Sequence, residues 1–586
     1  MIASNSPLVL ALSSFADEDI LQGPELTYSF GAGGTVIPDA DVTGPRTTLD
    51  WSEEQKGYVR ELYAYISTVV NLNFTEVDEA NSPNTTFFQV TDFTDGTTGY
   101  MQPTGFQTNQ LVIPTEFIGY ADVTLIHEIG HSLGLSHPFD GPANLPGVQS
   151  DADLGDFNLN TELATRMSYT PGAALAHPGL DIMGEALSFG ALDIAALQLL
   201  HGARDSTGLG DTTYGDIPYL DTIWDNGGHD LIDFSQASDP VVIDLRAASL
   251  EVDAGGGGYL SFISRDDGAL AEGGYTIAFG VEIEDARGGQ GDDNITGNDA
   301  INLLSGNGGN DRLDGGAGSD AALYSGTQQS YTLSLSAAGM TLEDRRGTDG
   351  TDTLVNIESL GFGDNTAGFF DLTVFAGTQN LSGEAMESFI ELYIAYFNRA
   401  PDAVGLNFWG TAFANGTSLT QMATLFTDQD ETRETYAADL SNADFVTAVY
   451  DNVLGRAGDQ AGFDFWVSVL NDGGRTRDQF ILSVLEGAKA APAAGASDDF
   501  IIQQLADQQY LSIKTDIGAY YSVTKGMSDV AQAAAVMNLF DGSAASVETV
   551  QAAIDSFYAS ALDGETGQFL MPLVGVVDDP FGGALV

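Results

Sequence analysis

Three histidines stand close together in a segment that reads HEIGHSLGLSH and begins at His127. The four residues before it, VTLI, extend an apolar run that predicts a buried helix. Residues four apart share one face of a helix, so the imidazoles of His127 and His131 can converge on one ion. Gly134 can adopt the left-handed conformation that ends a helix, and the turn that it allows brings His137 in as a third nitrogen ligand.

Three imidazoles leave the fourth position of a tetrahedral ion open, which is typical of a catalytic zinc site. Glu128 lies one step round the helix, within reach of a water at that open position. Zinc lowers the pKa of such a water to about 7, so Glu128 is expected to act as general base and to pass the proton to the leaving amine. HExxH alone arises by chance, but Gly134, His137 and a total of only six histidines favour zinc.

A second element is the segment TRMSY at Thr165–Tyr169. HExxHxxGxxH is the zinc signature of metzincin proteases, which also carry a Met-turn, a methionine that forms an apolar floor beneath the ligands. Met167 is the predicted Met-turn residue and Met183 is a rival candidate. The MSY of this chain resembles the serralysin Met-turn residue for residue. That resemblance implies that Tyr169 reaches the zinc and stabilises the oxyanion.

Residues 1–375 resemble serralysins, secreted zinc endopeptidases of Gram-negative bacteria. Leu192–Ala203 is similar to the helix that closes their catalytic domain, although His201 stands where the family usually has tyrosine. Ser52–Gln55 is a capping-box pattern, and the apolar spacing after it predicts an amphipathic helix over the sheet of this domain. Leu111–Pro114 is either the edge strand along which such proteases align substrate or a plain core strand.

A nine-residue repeat begins at Gly288 and reads GGQGDDNIT, GNDAINLLS, GNGGNDRLD, GGAGSDAAL. Its glycines allow tight turns, its sixth position supplies carboxylate oxygens, and its eighth position is apolar and fills an interior. This is the RTX repeat, which predicts a parallel β-roll with several structural Ca²⁺ ions rather than a flexible linker. The second unit has Asn302 in place of aspartate, so the number of occupied sites stays open. The predicted ligands are Gly288, Gly291, Asp293, Gly306, Asp311, Gly315, Gly318 and Asp320.

Two loops upstream of the repeat, DTTYG and WDNGGHD, resemble the pair that holds a calcium between the protease and the roll of serralysins. The resemblance implies side-chain ligands at Asp211, Asp225 and Asp230, and carbonyl ligands at Thr213 and Gly227. Strands that close the roll are predicted at 349–354 and 356–358.

The composition changes after Leu381 from glycine-rich strands to alanine-rich helical patterns, which continue to about Leu562. Two stretches align at an offset of 57 residues and indicate an internal helical repeat. The repeat resembles a helical module of unassigned function in secreted bacterial RTX and surface proteins. Structural packing is its default interpretation, and attachment to a cell-surface partner is the functional hypothesis. The matched residues are Tyr393, Arg399, Asp402, Gly405, Phe408 and Trp409 with Tyr450, Arg456, Asp459, Gly462, Phe465 and Trp466.

The chain carries 19 Lys and Arg against 84 Asp and Glu, a net charge of −65, which excludes nucleic acid and anionic membranes as expected partners. It has no cysteine, so disulfide and thiol chemistry are excluded. An apolar run of about 18 residues is lacking, and no basic segment precedes the short apolar run near the N-terminus, so we expect neither a membrane span nor a cleaved secretory signal. These features fit the type I secretion machinery, which reads a C-terminal signal in serralysins, and the roll would fold outside the cell where calcium is available.

We therefore predict a multidomain chain with an α+β metzincin catalytic domain, a parallel β-roll and an all-α C-terminal domain. The expected function is that of a secreted, extracellular metalloendopeptidase with one catalytic Zn²⁺, structural Ca²⁺ and protein or peptide substrates. The alternatives are a calcium-dependent surface or matrix protein that uses the protease fold as a scaffold, and an enzyme of other specificity on the same zinc. The predicted segments are 1–24 (N-terminal lead or short propeptide), 25–203 (catalytic), 204–375 (roll), 376–565 (helical) and 566–586 (tail with the secretion signal).

Overall fold

The protein forms two compact units, Met1–Asp320 and Ala321–Val586, in a computed structural model. The described residues are 6–13, 21, 23–37, 45–91, 93, 98–105, 108–118, 123–141, 143–170, 181–183, 188–265, 270–363, 368–437, 439–492 and 494–582. Within them, no helix is both long and apolar enough to cross a membrane. The predicted boundary at residue 375 stays a prediction, since the division between the units falls earlier, within the repeats.

The first unit contains four α-helices and nineteen strands among its described residues. The helices are α1 (Pro7–Leu12), α2 (Glu53–Val69), α3 (Val123–Ser132) and α4 (Ala191–His201). The strands are β1 (Glu25–Phe30), β2 (Val36–Ile37), β3 (Arg46–Thr47), β4 (Asn73–Glu76), β5 (Thr85–Val90), β6 (Tyr100–Gly105), β7 (Thr108–Pro114), β8 (Asp181–Met183), β9 (Thr213–Tyr214), β10 (Leu220–Ile223), β11 (Leu231–Asp233), β12 (Val241–Asp244), β13 (Phe262–Arg265), β14 (Leu270–Glu272), β15 (Gly274–Ile277), β16 (Asp285–Arg287), β17 (Asn294–Thr296), β18 (Leu303–Ser305) and β19 (Arg312–Asp314).

A five-stranded sheet in the order β4-β1-β5-β7-β6 lies beneath α2 and α3. All its strands are parallel except β6, which pairs antiparallel with β7 at the edge. The predicted capping box of α2 is confirmed: Ser52 N–H donates to Gln55 Oε1 at 3.0 Å, and Gln55 N–H donates to Ser52 Oγ at 3.2 Å. Leu111–Pro114 lies in β7, which stands between β5 and β6, so the edge-strand interpretation is wrong and β6 is the edge on this side of the sheet.

The nine-residue repeats form two parallel sheets from alternate strands. β16 pairs with β18 and β17 pairs with β19, so that Ala286 lies opposite Leu304 and Ile295 lies opposite Leu313. Each strand therefore pairs with the strand two repeats further along the chain, so that one turn of the coil contains two repeats. Ile295, Leu304 and Leu313 occupy the predicted interior position and are fully buried.

The helix α1 falls in the predicted N-terminal lead, and it is packed into the first unit. Four of its side chains, those of Leu8, Val9, Ala11 and Leu12, are 0% exposed. The carbonyl of Leu12 accepts a hydrogen bond of 2.9 Å from the N–H of Ser136. The helix thus supports the residue next to His137, and removal of a propeptide up to residue 24 would take this support away.

The second unit combines seven strands with ten α-helices in its described part. The strands are β20 (Ala321–Leu323), β21 (Tyr331–Ser336), β22 (Gly339–Asp344), β23 (Thr351–Val355), β24 (Ser359–Gly361), β25 (Phe370–Asp371) and β26 (Leu573–Val574). The helices are α5 (Gly383–Phe397), α6 (Ala403–Ala414), α7 (Leu419–Thr427), α8 (Asp430–Thr435), α9 (Asn442–Leu454), α10 (Gln460–Asn471), α11 (Arg477–Lys489), α12 (Asp498–Ala519), α13 (Val530–Asn538) and α14 (Ala544–Ala561), and a π-helix spans Tyr520–Thr524.

The predicted C-terminal tail contains β26, which pairs in parallel with β21. Leu570 and Met571 are fully buried beside it. The N–H of Leu333 donates to the carbonyl of Leu570 at 2.8 Å. This part of the tail is therefore integrated into the second unit.

The helical repeat occurs three times rather than twice. Its second helix begins after an aspartate cap at Asp402, Asp459 and Asp529, on α6, α10 and α13 respectively. The third copy escapes a sequence comparison at fixed offset because it holds one extra residue before the cap. The π-helix Tyr520–Thr524 lies in that stretch, and its wider turn takes up one residue more than an α-helical turn.

Candidate metal centre

The three histidines of the HEIGHSLGLSH segment meet at one point. His127 and His131 project from one face of α3, and Gly134 adopts a φ of 103° in the turn that leads to His137. His127 Nε2 and His131 Nε2 each lie 3.1 Å from His137 Nε2. Ligands of a tetrahedral zinc with Zn–N bonds of about 2.0–2.1 Å are about 3.3 Å apart, so this donor set fits the ion.

This triad is distinct within the described ranges. It is the one group there of three or more His, Cys, Asp or Glu residues whose ligand atoms all lie within 4.8 Å of one another. Burial lowers the pKa of His127 to about 4 and that of His131 well below its usual value. Both imidazoles are therefore neutral at physiological pH, which is the form that binds a metal.

The other nitrogen of each imidazole faces an acceptor, which fixes the tautomer and directs the Nε2 lone pair to the common point. Nδ1 lies 2.9 Å from the carbonyl of Arg166 in His127, 2.8 Å from the carbonyl of Leu135 in His131, and 2.9 Å from the carboxylate of Asp140 in His137. Asp140 was not predicted, although its position three residues after a ligand histidine is a usable signal.

A buried carboxylate orders the Thr165–Tyr169 segment. Asp193 of α4 is fully buried and accepts hydrogen bonds from the N–H of Arg166, from Thr165 Oγ1 at 2.6 Å and from the N–H of Gly190 at 3.0 Å. The carbonyl of the same residue, Arg166, lies 2.9 Å from Nδ1 of His127. Asp193 was missed because nothing in the local pattern of α4 distinguishes it from an N-terminal helix aspartate.

Met167 lies beneath α3, as predicted for a Met-turn. It is 0% exposed, and a β-carbon built at Gly130 would lie 2.9 Å from its sulfur. Gly130 therefore allows the thioether to approach the helix between the two ligand histidines. The rival Met183 ends β8, and its side chain lies outside the described part.

Glu128 and Tyr169 lie at the same centre as the triad. Glu128 is buried, and burial raises its pKa to about 8, opposed by a hydrogen bond from the backbone of Met101. Tyr169 Oη lies 2.9 Å from His137 Nε2. Burial, and then the charge of Glu128, raises the pKa of Tyr169 to about 12, so its phenol remains a proton donor.

His201 lies against the turn that carries the third ligand. Its Nε2 is 2.8 Å from the carbonyl of Leu133, and Asn109 Nδ2 donates to the carbonyl of Ser132 at 3.3 Å. These two side chains satisfy carbonyls that the end of α3 leaves without helical partners. His201 is thus a capping residue.

The two loops predicted to hold calcium are joined by hydrogen bonds. Asp211 Oδ1 accepts from the N–H of His229 at 3.0 Å, and Asp230 Oδ1 accepts from the N–H of Thr212 at 2.8 Å. Asp230 Oδ2 is buried and has no hydrogen-bond partner among the described residues. The carboxylate of Asp225 accepts a hydrogen bond of 2.7 Å from the Tyr214 hydroxyl. Glu284, which was not predicted, accepts from the N–H of Asp230 at 2.7 Å. Carbonyl ligation by Thr213 and Gly227 stays a prediction.

In the repeats, the sixth position links successive turns. The N–H of Asp293 donates to Asp311 Oδ1, and that of Asn302 donates to Asp320 Oδ1, at 2.8 and 2.9 Å. Burial raises the pKa of Asp293 to about 6. At four glycines of the repeats a β-carbon would collide with these side chains or with a neighbouring turn: Gly288, Gly291, Gly306 and Gly318. Their role as calcium ligands, with that of Gly315, stays a prediction.

Two family models match the chain. Residues 211–415 match the Peptidase M10 serralysin C-terminal model, and residues 423–491 match a domain of unknown function, DUF4214. The second match agrees with the predicted helical module of unassigned function.

Curated relatives point in the same direction. Serralysin of Proteus mirabilis and metallopeptidase AprA of Pseudomonas marginalis are each 30% identical to the chain, over 48% of its length and 61% of theirs. Serralysin B of Dickeya chrysanthemi is 32% identical, over 46% of the chain and 57% of the relative. The chain thus spans about three fifths of these relatives. Motif, fold and matches together identify the chain as serralysin-like.

Proposed function

We propose that the protein is a secreted zinc metalloendopeptidase. The observation that carries the proposal is the convergence of three imidazoles with the Tyr169 hydroxyl and the buried Glu128. His127, His131 and His137 would hold the ion, which supplies a polarised water and a Lewis acid when it is bound. A protein that used this fold only as a scaffold would have no need of a complete set of metal ligands with an acid–base residue beside it.

The side chains around the triad would then have different roles in the reaction. Glu128 would take the proton of the attacking water and deliver it to the leaving amine. Tyr169 donates its hydroxyl proton in a hydrogen bond to the carbonyl oxygen as that oxygen gains negative charge. Asp193 and Asp140 keep the imidazoles oriented, and Met167 keeps the floor of the site dry.

The edge strand β6 is the proposed substrate guide. It leads past α3, and its Met101 N–H contacts Glu128. An extended peptide that pairs with the free side of β6 would run beside the triad. Tyr100–Gly105 would then have the role that the resemblance predicted for Leu111–Pro114.

The fold, the calcium sites and the route of export are further parts of this proposal. The fold of the first unit would be that of a metzincin catalytic domain followed by a calcium β-roll, and calcium at the loops and repeats would neutralise their carboxylates. Type I secretion would deliver the protein to the exterior, as the resemblance to serralysins implies. A surface or matrix protein without activity is the alternative.

Casein zymography in the presence of calcium tests the proposal. The wild type should clear casein, and both a zinc chelator and Glu128→Ala should abolish clearing. Zinc content is measured on the same samples, and Glu128→Ala should retain one zinc because the three ligands are intact. A wild-type protein that binds zinc but cleaves no protein substrate would exclude the protease and favour the scaffold.

A further inference from the structure

The start of β6 lies against the helix that carries two of the candidate metal ligands. A β-carbon built on Gly99 would lie 2.9 Å from Thr124 Cγ2, 3.1 Å from Glu128 Cγ and 3.3 Å from Glu128 Oε1. Thr124 and Glu128 are four residues apart on α3 and therefore share one face of this helix. The chain at Gly99 thus approaches the candidate general base so closely that little room is left for a side chain.

Gly99 is suited to this place by its lack of a side chain rather than by its backbone conformation. Its φ lies outside the left-handed region, so the backbone itself does not require glycine. Thr124 and Glu128 are both buried, and the β-branched side chain of Thr124 has few rotamers available on a helix. A methyl group added at Gly99 would therefore press on these two side chains and displace them.

The backbone of β6 also holds Glu128 directly. The N–H of Met101 donates a hydrogen bond to the Glu128 side chain. Pro103 has no N–H, and a proline of an edge strand stands where that group would point away from the neighbouring strand. Met101 precedes Pro103 by two residues, so its N–H points the same way, away from β7 and towards the free side of β6. Glu128 therefore lies on the side of β6 that the proposed function assigns to an extended substrate.

We propose that the first residues of β6 position the general base, with Gly99 as the residue that permits the contact, a role that rests on the proposed function. Gly99 is a positioning residue, because it acts through Glu128. A methyl group at this place would move the Glu128 side chain by a few tenths of an ångström. Since a misplacement of about 1 Å costs about 10²-fold in rate, the expected loss is about tenfold.

The variant Gly99→Ala tests the proposal in the full chain loaded with calcium and zinc. Steady-state kinetics on a fluorogenic peptide should show a kcat lowered about tenfold and a KM changed by less than about threefold. The zinc content should equal that of the wild type. Gly57→Ala is the matched control and should keep the wild-type kcat, because a β-carbon on Gly57 of α2 would have nothing within 4 Å.

Two results of these kinetics would overturn the proposal. One is a normal kcat in Gly99→Ala, and the other is a loss of zinc, which would show a structural role instead. An inactive wild type would remove the proposed function itself, whereas an active wild type with an unaffected Gly99→Ala would remove only the role of Gly99.

Hydrogen exchange resolved to single residues gives a readout other than activity. In Gly99→Ala the Met101 amide should exchange faster than in the wild type, while the Gln102 amide, which points towards β7, should keep its rate. Equal acceleration of both amides would mean that the strand as a whole is loosened, and would overturn the proposal. Glu128→Ala removes the acceptor, so an unchanged Met101 amide in this variant would refute the contact even if Gly99→Ala did not fold.

Discussion

The carboxylate of Asp193 on α4 accepts a hydrogen bond from the backbone N–H of Arg166, and the carbonyl of that same residue faces the imidazole of His127. One residue, Arg166, therefore connects a fully buried acid to a proposed zinc ligand, through its N–H and its carbonyl. The connection fixes the orientation of the imidazole through the chain rather than through a direct contact.

Asp193→Ala should weaken both the fold and the metal site. Loss of the carboxylate leaves buried donors of Thr165, Arg166 and Gly190 unpaired, and we expect the free energy of unfolding to fall by about 3–5 kcal/mol. Zinc affinity should fall by about 10–100-fold because the imidazole is less constrained. Urea denaturation and competition with a zinc-binding dye measure the two effects. Gln198→Ala is the control: it removes a buried hydrogen bond of α4 that does not touch the Arg166 peptide.

Tyr169→Phe should lower kcat and leave zinc binding intact. Its hydroxyl lies 2.9 Å from His137 Nε2, where a donor can meet an oxyanion. Removal of one such donor lowers kcat by about 10²–10³-fold, with KM little changed. Steady-state kinetics on a fluorogenic peptide measure the split. A rise in KM with normal kcat would show that Tyr169 only binds substrate.

Calcium binding to the repeats should weaken in acid. Burial raises the pKa of Asp293 to about 6, and a cation competes with the proton for this carboxylate. Apparent affinity should be constant above pH 6 and should fall by up to about tenfold for each unit below it. Calorimetry at pH 7.5 and 5 measures the loss. Asp293→Asn should bind more weakly at pH 7.5, and the exposed Asp299→Asn should not. An affinity that does not change between these pH values would contradict the assignment.

Stability of the second unit should rise with pH because of Lys514. This lysine of α12 is buried, donates to Asn398 Oδ1 at 3.1 Å and to the carbonyl of Asn452 at 2.8 Å, and burial lowers its pKa to about 8. Between pH 8 and 10.5 the unfolded chain keeps a proton that the folded chain has lost, so the free energy of unfolding increases with pH in this window and is flat with respect to this group below it.

The variant Lys514→Met isolates that contribution. The difference in unfolding free energy between variant and wild type should shift in favour of the wild type by about 2 kcal/mol from pH 8 to 9.5. Urea denaturation followed by helical circular dichroism at both pH values measures it. A constant difference would mean that the Lys514 ammonium is not desolvated in the folded protein.

Patterns within short segments of the sequence predicted much of the metal site and of the repeat region. The spacing within HEIGHSLGLSH requires only one helix and one glycine turn to bring the histidines together. The nine-residue repeat likewise puts Ile295 and Leu313 inside, because its period matches half a turn of the parallel coil. The serralysin resemblance rests on the same local motifs.

Contacts between distant segments were decided by the tertiary structure. Neither the Asp193–Arg166 bond, nor the Leu12–Ser136 bond, nor the position of β6 outside β7 follows from spacing, because each depends on which surfaces pack. The sequence by itself determined which side chains could bind a metal. Only packing determined how His127 is held, because the carbonyl that faces its imidazole belongs to Arg166, 39 residues away along the chain, on a segment that Asp193 orders.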